Sequence, residues 1–280
     1  MNKRQVLRLF FRRKLSLVGL GCVILCLIMI VFADLLAPYD PQQINLNQVL
    51  APPSTSHIFG TDELGRDVWS RILYGSRWTF LIGLSGVAFG LVIGGLIGLI
   101  SGYLGGLLDD VVMRFIDVLY AFPGMILAII IVAVAGTGLW GVILAIGVFS
   151  TSVFARITRA SVLEVKSESY VEAARAIGAS SVWILRRHIL VNIVMPIIVM
   201  ATTQLAQAVL VAASLGFLGL GVPPSTPEWG AILSRGRAFL REAPHVTVFP
   251  GLFISVSVFG IHIMGDVLRD VIDPRYRTEG

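Results

Sequence analysis

Three stretches without Asp, Glu, Lys or Arg limit what this sequence can fold into: Leu15 to Ala33, Trp78 to Leu108 and Val118 to Ala155. As helices rising about 1.5 Å per residue they would be roughly 28, 46 and 57 Å long, against a hydrocarbon core of about 30 Å. The third is too long for one crossing, and Gly136-Thr137-Gly138 divides it near the middle, which predicts a tight hairpin between two spans. Its first half carries a Phe122-Pro123-Gly124 break able to kink or unwind it. Further apolar blocks at Ile189 to Ala213 and Val246 to Gly265 bring the expectation to six. Lipid offers the backbone no hydrogen-bond partners, so spans of this kind are helices. The expected class is all-α, a polytopic membrane protein with six transmembrane helices and both termini on one side. A composition of 56% apolar and 14% charged residues agrees, since soluble domains are roughly a quarter charged.

Charge gives the orientation. Arg66, Arg71, Arg77, Arg235, Arg237 and Arg241 fall on one side of this six-span reading, and every other Lys and Arg falls on the other, counting Arg114 there. By the positive-inside rule the richer side is cytoplasmic and holds both termini. The chain then divides into a basic flank 1–14, a first span with an outer loop at 15–77, a core of five spans at 78–268 and a tail at 269–280. The core includes a cytoplasmic segment 156–188 and an outer loop 215–247. Residues 1–14 hold Lys3, Arg4, Arg8, Arg12, Arg13 and Lys14; the apolar run from Leu15 to Ala33 is longer than that of a signal peptide and no small-residue cleavage site follows it, so an uncleaved first helix is expected. The basic residues flank apolar spans, which is no nucleic-acid footprint.

Within the outer loop, Leu64, Val68, Trp69 and Ile72 form an apolar stripe after Asp62, which predicts an amphipathic helix lying at the interface with Asp62 as its cap. Asp62, Glu63 and Asp67 lack the spacing of a calcium loop. Gly86, Gly90, Gly94, Gly98 and Gly102 recur every fourth residue, so one face of this span packs backbone to backbone on another helix, in this chain or in a second subunit. Cys22 and Cys26 sit one turn apart in an apolar run without further ligands and read as packing residues. Asn192, Thr202, Thr203, Gln204 and Gln207 lie in the fifth span, where polar groups need partners; Thr203, Gln204 and Gln207 are candidates for lining a path, or for hydrogen bonding between helices.

One polar island, Tyr170 to His188, separates two long apolar blocks. Tyr170, Ala173, Ala174 and Ile177 recur at helical spacing while Glu172 and Arg175 face elsewhere. Gly178 supplies a helix stop, and Ser180 or Ser181 can cap a second helix that carries Arg186 and Arg187 into the next span. Helix, turn, helix at a membrane surface is either a handle for a partner or a solvated connector.

The string EAARAIG followed by a second helix resembles the cytoplasmic coupling motif of ABC importer permeases. HIFGTDELGRDVWSRILYGSR at 57–77, GFLGLGVPPSTPEWGAIL at 216–233 and GDVLRDVIDPR at 265–275 resemble the dipeptide, oligopeptide and nickel branch of that family, in its C-type subunit. Val191 departs from the pattern, standing where relatives carry a proline. The resemblance implies a type I importer permease fold in a bacterial or archaeal inner membrane. It implies a translocation path shared with a second permease, two ATP-binding subunits that hold ATP and Mg, and a solute-binding protein outside. Tyr170, Glu172, Ala173, Ala174, Arg175 and Gly178 would then form the contact with an ATPase. The cargo implied is a dipeptide or short oligopeptide, with nickel or glutathione as alternatives.

The chain itself offers no engine and no catalyst. The phosphate-cradling pattern Gly-x-x-x-x-Gly-Lys-Ser/Thr does not occur: only Lys166 precedes a hydroxyl residue, and Ala160 and Val165 stand where its glycines would be. Ionisable side chains lie near span ends rather than mid-membrane, which disfavours proton coupling, though a secondary transporter or channel remains the competing class. His57, His188, His245 and His262 are scattered without metal-ligand spacing, and no nucleophile motif occurs, so neither a metal site nor an enzyme is expected.

Overall fold

The computed structural model describes residues 14–272, and the remaining basic residues of the amino-terminal flank, with Arg275 and Arg277, lie outside them. The main elements among the described residues are helices, joined by a long loop at 37–67: α1 (Lys14–Val31), α2 (Val68–Leu104), α3 (Gly106–Ala121), α4 (Gly124–Ala135), α5 (Leu139–Lys166), α6 (Ser169–Ala176), α7 (Ser181–Ile184), a π-helical turn (Leu185–Ile189), α8 (Leu190–Phe217), α9 (Trp229–Gly236) and α10 (His245–Ile272). Five helical stretches are long and apolar enough to cross a membrane, and the pair α3 and α4, bent by 98°, makes a sixth if counted as one span.

The glycines of α2 face α5. A side chain at Gly86 would meet Ile146, at Gly90 Ser150, at Gly94 the carbonyl of Thr151, at Gly98 that of Ala155, and at Gly102 the carbonyl of Arg159 and the side chain of Val162. Residue numbers rise together on both helices, so α2 and α5 run parallel. The open question of the partner helix is thereby answered within the chain. Antiparallel contacts link α1 to α10, where Gly19 meets Ile263 and Cys26 Sγ lies 3.1 Å from Ser257 Oγ, and α8 to α10, where Thr202 meets Gly265. The described ends of the chain therefore lie at one end of the bundle.

Parallel neighbours need a return segment, and α3 with α4 supplies it. The 98° bend at Phe122-Pro123 exceeds the kink expected from sequence, because Phe122 is extended at ψ 136 and Pro123 has no N–H to continue a helix. Alone, α4 is about 18 Å long and too short to cross. Asp109, Asp110, Arg114 and Asp117, expected at a brief surface return, lie on α3, where Asp109 forms a bidentate pair with Arg159 of α5 at 2.6 Å. Positive φ at Gly136 and Gly138 closes the hairpin into α5.

The outer loop is a folded clamp, not a separate interfacial helix. Asp67, rather than Asp62, caps the helix, accepting from the Ser70 N–H at 2.7 Å, and that helix is the start of α2, with Val68 and Ile72 fully buried. Gly65, at φ +70, breaks the chain between Leu64 and the capping residue, so the apolar stripe is not one helix. Asp62 instead closes this turn, accepting from the Leu64 and Arg66 N–H groups and from Arg66 Nε at 2.7 Å, with Arg71 Nε 3.4 Å away. His57 sits between Asp67 and Gln48, each 2.9 Å from one ring nitrogen. Glu63 pairs with Arg235 of α9 at 3.0 Å, His245 of α10 faces the Thr61 carbonyl at 3.1 Å, and Phe59 stacks on Phe249 at 3.9 Å. The loop thus ties α2, α9 and α10 together.

The second outer segment also folds inward. Glu228 caps α9, accepting from the Gly230 and Ala231 N–H groups and the Thr79 hydroxyl, and Trp229 Nε1 donates to the Ile72 carbonyl at 2.9 Å. Burial pushes the Glu228 carboxyl above the usual carboxylate range, while those three donors pull it back. At the other end, α10 continues to Ile272, so residues expected in a tail extend the last helix.

Replacing Gly94 by Leu drives a side chain into the Thr151 carbonyl, and overpacking of this kind costs about 1–3 kcal/mol. The purified variant should melt below wild type in detergent, and an unchanged Tm would mean the two helices do not meet there. Asp62→Ala leaves the buried Arg71 guanidinium without its carboxylate and Arg66 with Glu63 alone, a loss of about 3–5 kcal/mol. Wild-type yield and melting of that variant would contradict the clamp.

Candidate coupling and pathway residues

Helix α6 is eight residues long, with Val171 and Ala174 buried and Tyr170, Glu172, Ala173 and Arg175 exposed. The expected apolar face of Tyr170, Ala173, Ala174 and Ile177 is therefore not the buried one. Helical geometry ends at Ala176, so Ile177 leaves the periodic face and stands 84% exposed. Gly178, at φ +82, makes the stop: its N–H donates to Arg175 O, and the Ala179 N–H reaches back to Ala174 O at 3.0 Å. This is a Schellman closure, which favours glycine because a side chain is strained at positive φ. Ser180 caps α7 by accepting from the Trp183 N–H.

Beneath the island lies a small apolar core of Val162, Val171, Ala174, Ile184, Ile189 and Ile193. It seats α6 on the ends of α5 and α8. Glu172, Arg175 and Ile177 face away from that seat, and Arg186 and Arg187 are exposed on the next element. Charged side chains thus surround an exposed isoleucine on the side of α6 turned away from the bundle. Val191 lies in unbroken helix, and the departure from α-geometry falls just before it, where the Leu190 N–H closes a π turn onto Leu185 O.

The candidate path residues are dispersed on α8. Thr203 donates to Val199 O at 3.4 Å, Gln204 is buried with its Nε2 lacking a hydrogen-bond partner among the described residues, and Gln207 is exposed. Asn192 donates to Tyr170 Oη and His188 O, fastening α8 to the island. Among the described residues no three His, Cys, Asp or Glu side chains form a group able to hold a metal. Sequence reasoning missed the His57 and Asp67 pair, the Glu228 cap and the π turn. Only Glu228 had a readable signal, an acceptor immediately before a short apolar helix.

Residues 94–278 match the family model described as "Binding-protein-dependent transport system inner membrane component". The chain belongs to that family. Residues 3–53 match a second model, the N-terminal TM domain of oligopeptide transport permease C. Among curated relatives, the glutathione transport system permease protein GsiD of Pectobacterium atrosepticum is 42% identical over 98% of this chain and 92% of its own. GsiD of Escherichia coli O6:K15:H31 is 44% identical over 96% and 89%. Among solved structures, an inward-facing MetNI methionine ABC transporter matches with a TM-score of 0.59 at 23% identity, covering 72% of this chain and 97% of that one. An amino acid ABC transporter with histidines matches at 0.55 and 14% identity, covering 70% and 92%. At such identities these two speak for the fold alone, which is that of an ABC importer permease. The chain is accordingly an inner-membrane permease of the peptide and nickel branch, a transport component and not itself an enzyme.

Gln204→Leu removes a buried amide whose unpaired group costs about 1–3 kcal/mol, so the variant should melt above wild type, whereas Gln207→Leu at an exposed position should not. A lower Tm for Gln204→Leu would mean the amide is paired in the assembled protein.

Proposed function

We propose that this permease is one of two different membrane subunits of an ATP-driven importer of short peptides, glutathione being the first tripeptide to test because both curated relatives carry its name. The other members are a second permease, two ATP-binding subunits and an extracytoplasmic binding protein. ATP and Mg bind to the ATPase subunits; this chain contributes half of the path and the lever. The reading rests above all on α6, whose Glu172, Arg175 and Ile177 stand free of the membrane bundle while Val171 and Ala174 lock it to α5 and α8. Both termini and this island lie in the cytoplasm on this reading, as the excess of Lys and Arg there supports.

Closure of the ATPases on ATP would move α6 as a rigid body and with it the inner ends of α5 and α8. The bundle would exchange inward-open for outward-open, ATP biasing the state in which the ATPases are closed. Of the candidate path residues Thr203, Gln204 and Gln207, the exposed Gln207 is the one proposed to face the path or the second permease, since an exposed amide within a span is stable only against protein or water, while Thr203 is half-buried and Gln204 is buried within the chain.

The test is purification of the tagged chain from its membrane with its bound subunits, followed by reconstitution and uptake of labelled glutathione and dipeptides. ATP-dependent uptake stimulated by a binding protein is expected. Flux that persists without ATP, with no ATPase co-purified, would favour a channel or secondary carrier. Glu172→Arg reverses the charge of the exposed face and should leave ATP hydrolysis while lowering uptake about tenfold, as loss of an interface hot spot does. Wild-type uptake by that variant would remove the coupling role from α6.

A further inference from the structure

The turn joining the island to α8 departs from α-geometry at one place. Leu185 to Ile189 form a π turn, closed by the Leu190 N–H on Leu185 O. Such a turn inserts one extra residue and rotates everything after it, and π turns recur at functional sites. The buried residues before and after it, Ile184 and Ile189, are five apart, and both pack in the apolar core under α6. A continuous α-helix would put residue 188, four after Ile184, on that face. The extra residue instead moves His188 sideways, off the buried face.

His188 lands between two aromatic rings. Its ring centroid lies 5.5 Å from that of Tyr170 on α6 and 5.0 Å from that of Trp183 on α7, the latter edge to face. Its backbone carbonyl accepts from Asn192 Nδ2 at 2.6 Å, and the same amide donates to Tyr170 Oη at 3.3 Å. One residue therefore touches α6 and α7 through its ring and α8 through its backbone. No described group hydrogen-bonds its Nε2, which is buried, so the faces and edges of the ring hold it rather than its nitrogens.

We propose that His188 is the positioning residue that joins the docking helix to α8, making α6, α7 and the inner end of α8 turn as one body. The inference rests on the coupling reading of α6 above. Without the ring, α6 keeps its apolar seat and the Asn192 contact to Tyr170 Oη, but Tyr170 and Trp183 lose their shared contact, and a tilt of α6 is passed to α8 less completely. The π turn is what places the ring there, in the position just ahead of Val191.

The experiment uses the whole purified complex in proteoliposomes and reads solute taken up per ATP hydrolysed for wild type, His188→Ala, His188→Phe and Glu172→Arg, with subunit ratios checked by co-purification. Two ring contacts are lost in His188→Ala, and uptake per ATP should fall about tenfold with ATPase subunits still bound. His188→Phe keeps both ring contacts and should remain within about twofold of wild type. A merely structural role would lower yield and both activities together without changing the ratio. An unchanged ratio in His188→Ala, or an equal loss in His188→Phe, overturns the proposal. If Glu172→Arg lowers the ratio while His188→Ala does not, this inference alone fails. If neither lowers it, the coupling reading of α6 fails with it.

Discussion

The contact on which the rest of this permease depends is the close approach of α2 and α5. Five glycines remove the side chains that would otherwise separate the two backbones, and α5 answers with Ser150, Thr151, Ala155 and Thr158. In lipid, where apolar side chains gain little from leaving their solvent, dispersion between closely packed backbones is a main source of helix association. Because the two helices run parallel, the chain must return to the outer side between them. The bent α3 and α4 are the consequence. The bidentate Asp109 and Arg159 pair fixes the start of that return against α5, at the level where the glycine contact ends.

A second set of constraints holds the outer end. The Asp62, Arg66 and Arg71 cluster is buried, and buried charges are tolerated only when paired and hydrogen-bonded. Its partners lie on the loop and on α2, and Glu63 with Arg235, Thr61 with His245 and Phe59 with Phe249 extend it to α9 and α10. The permease is thereby stiff at its outer rim. At the opposite end α6 contributes only Val171 and Ala174 to a small apolar core shared with Val162, Ile184, Ile189 and Ile193, a far lighter attachment than the clamp.

Span number, the hairpin at Gly136, the glycine face and the Gly178 stop were legible in the sequence because each follows from a short local rule: length against membrane thickness, glycine spacing, positive φ. The partner of the glycine face was not, since spacing says that something packs closely but not what. The first outer loop misled because Leu64, Val68, Trp69 and Ile72 fit a helical stripe, while Gly65 and the Asp67 cap interrupt it; two candidate caps five residues apart cannot be ranked without knowing which carboxylate the arginines take. For α6, periodicity placed Ile177 with the buried residues because the last turn was counted as helix. The π turn left no trace in the pattern, since Ile184 and Ile189 look out of phase until the extra residue is known.

The short α4 has a consequence for how the protein is made. A segment of about 18 Å does not match the bilayer, and its buried Ala128 and Val132 pack with Val142, Ile143, Ala145 and Ile146 of the helix that follows it. During synthesis α2 leaves the ribosome with its glycine face bare, long enough to span by itself. By contrast, α4 is too short to span alone and would have to enter the bilayer together with α5, as half of a hairpin. The same helix that completes that hairpin also covers the glycines of α2, so insertion of α5 would close both surfaces at once.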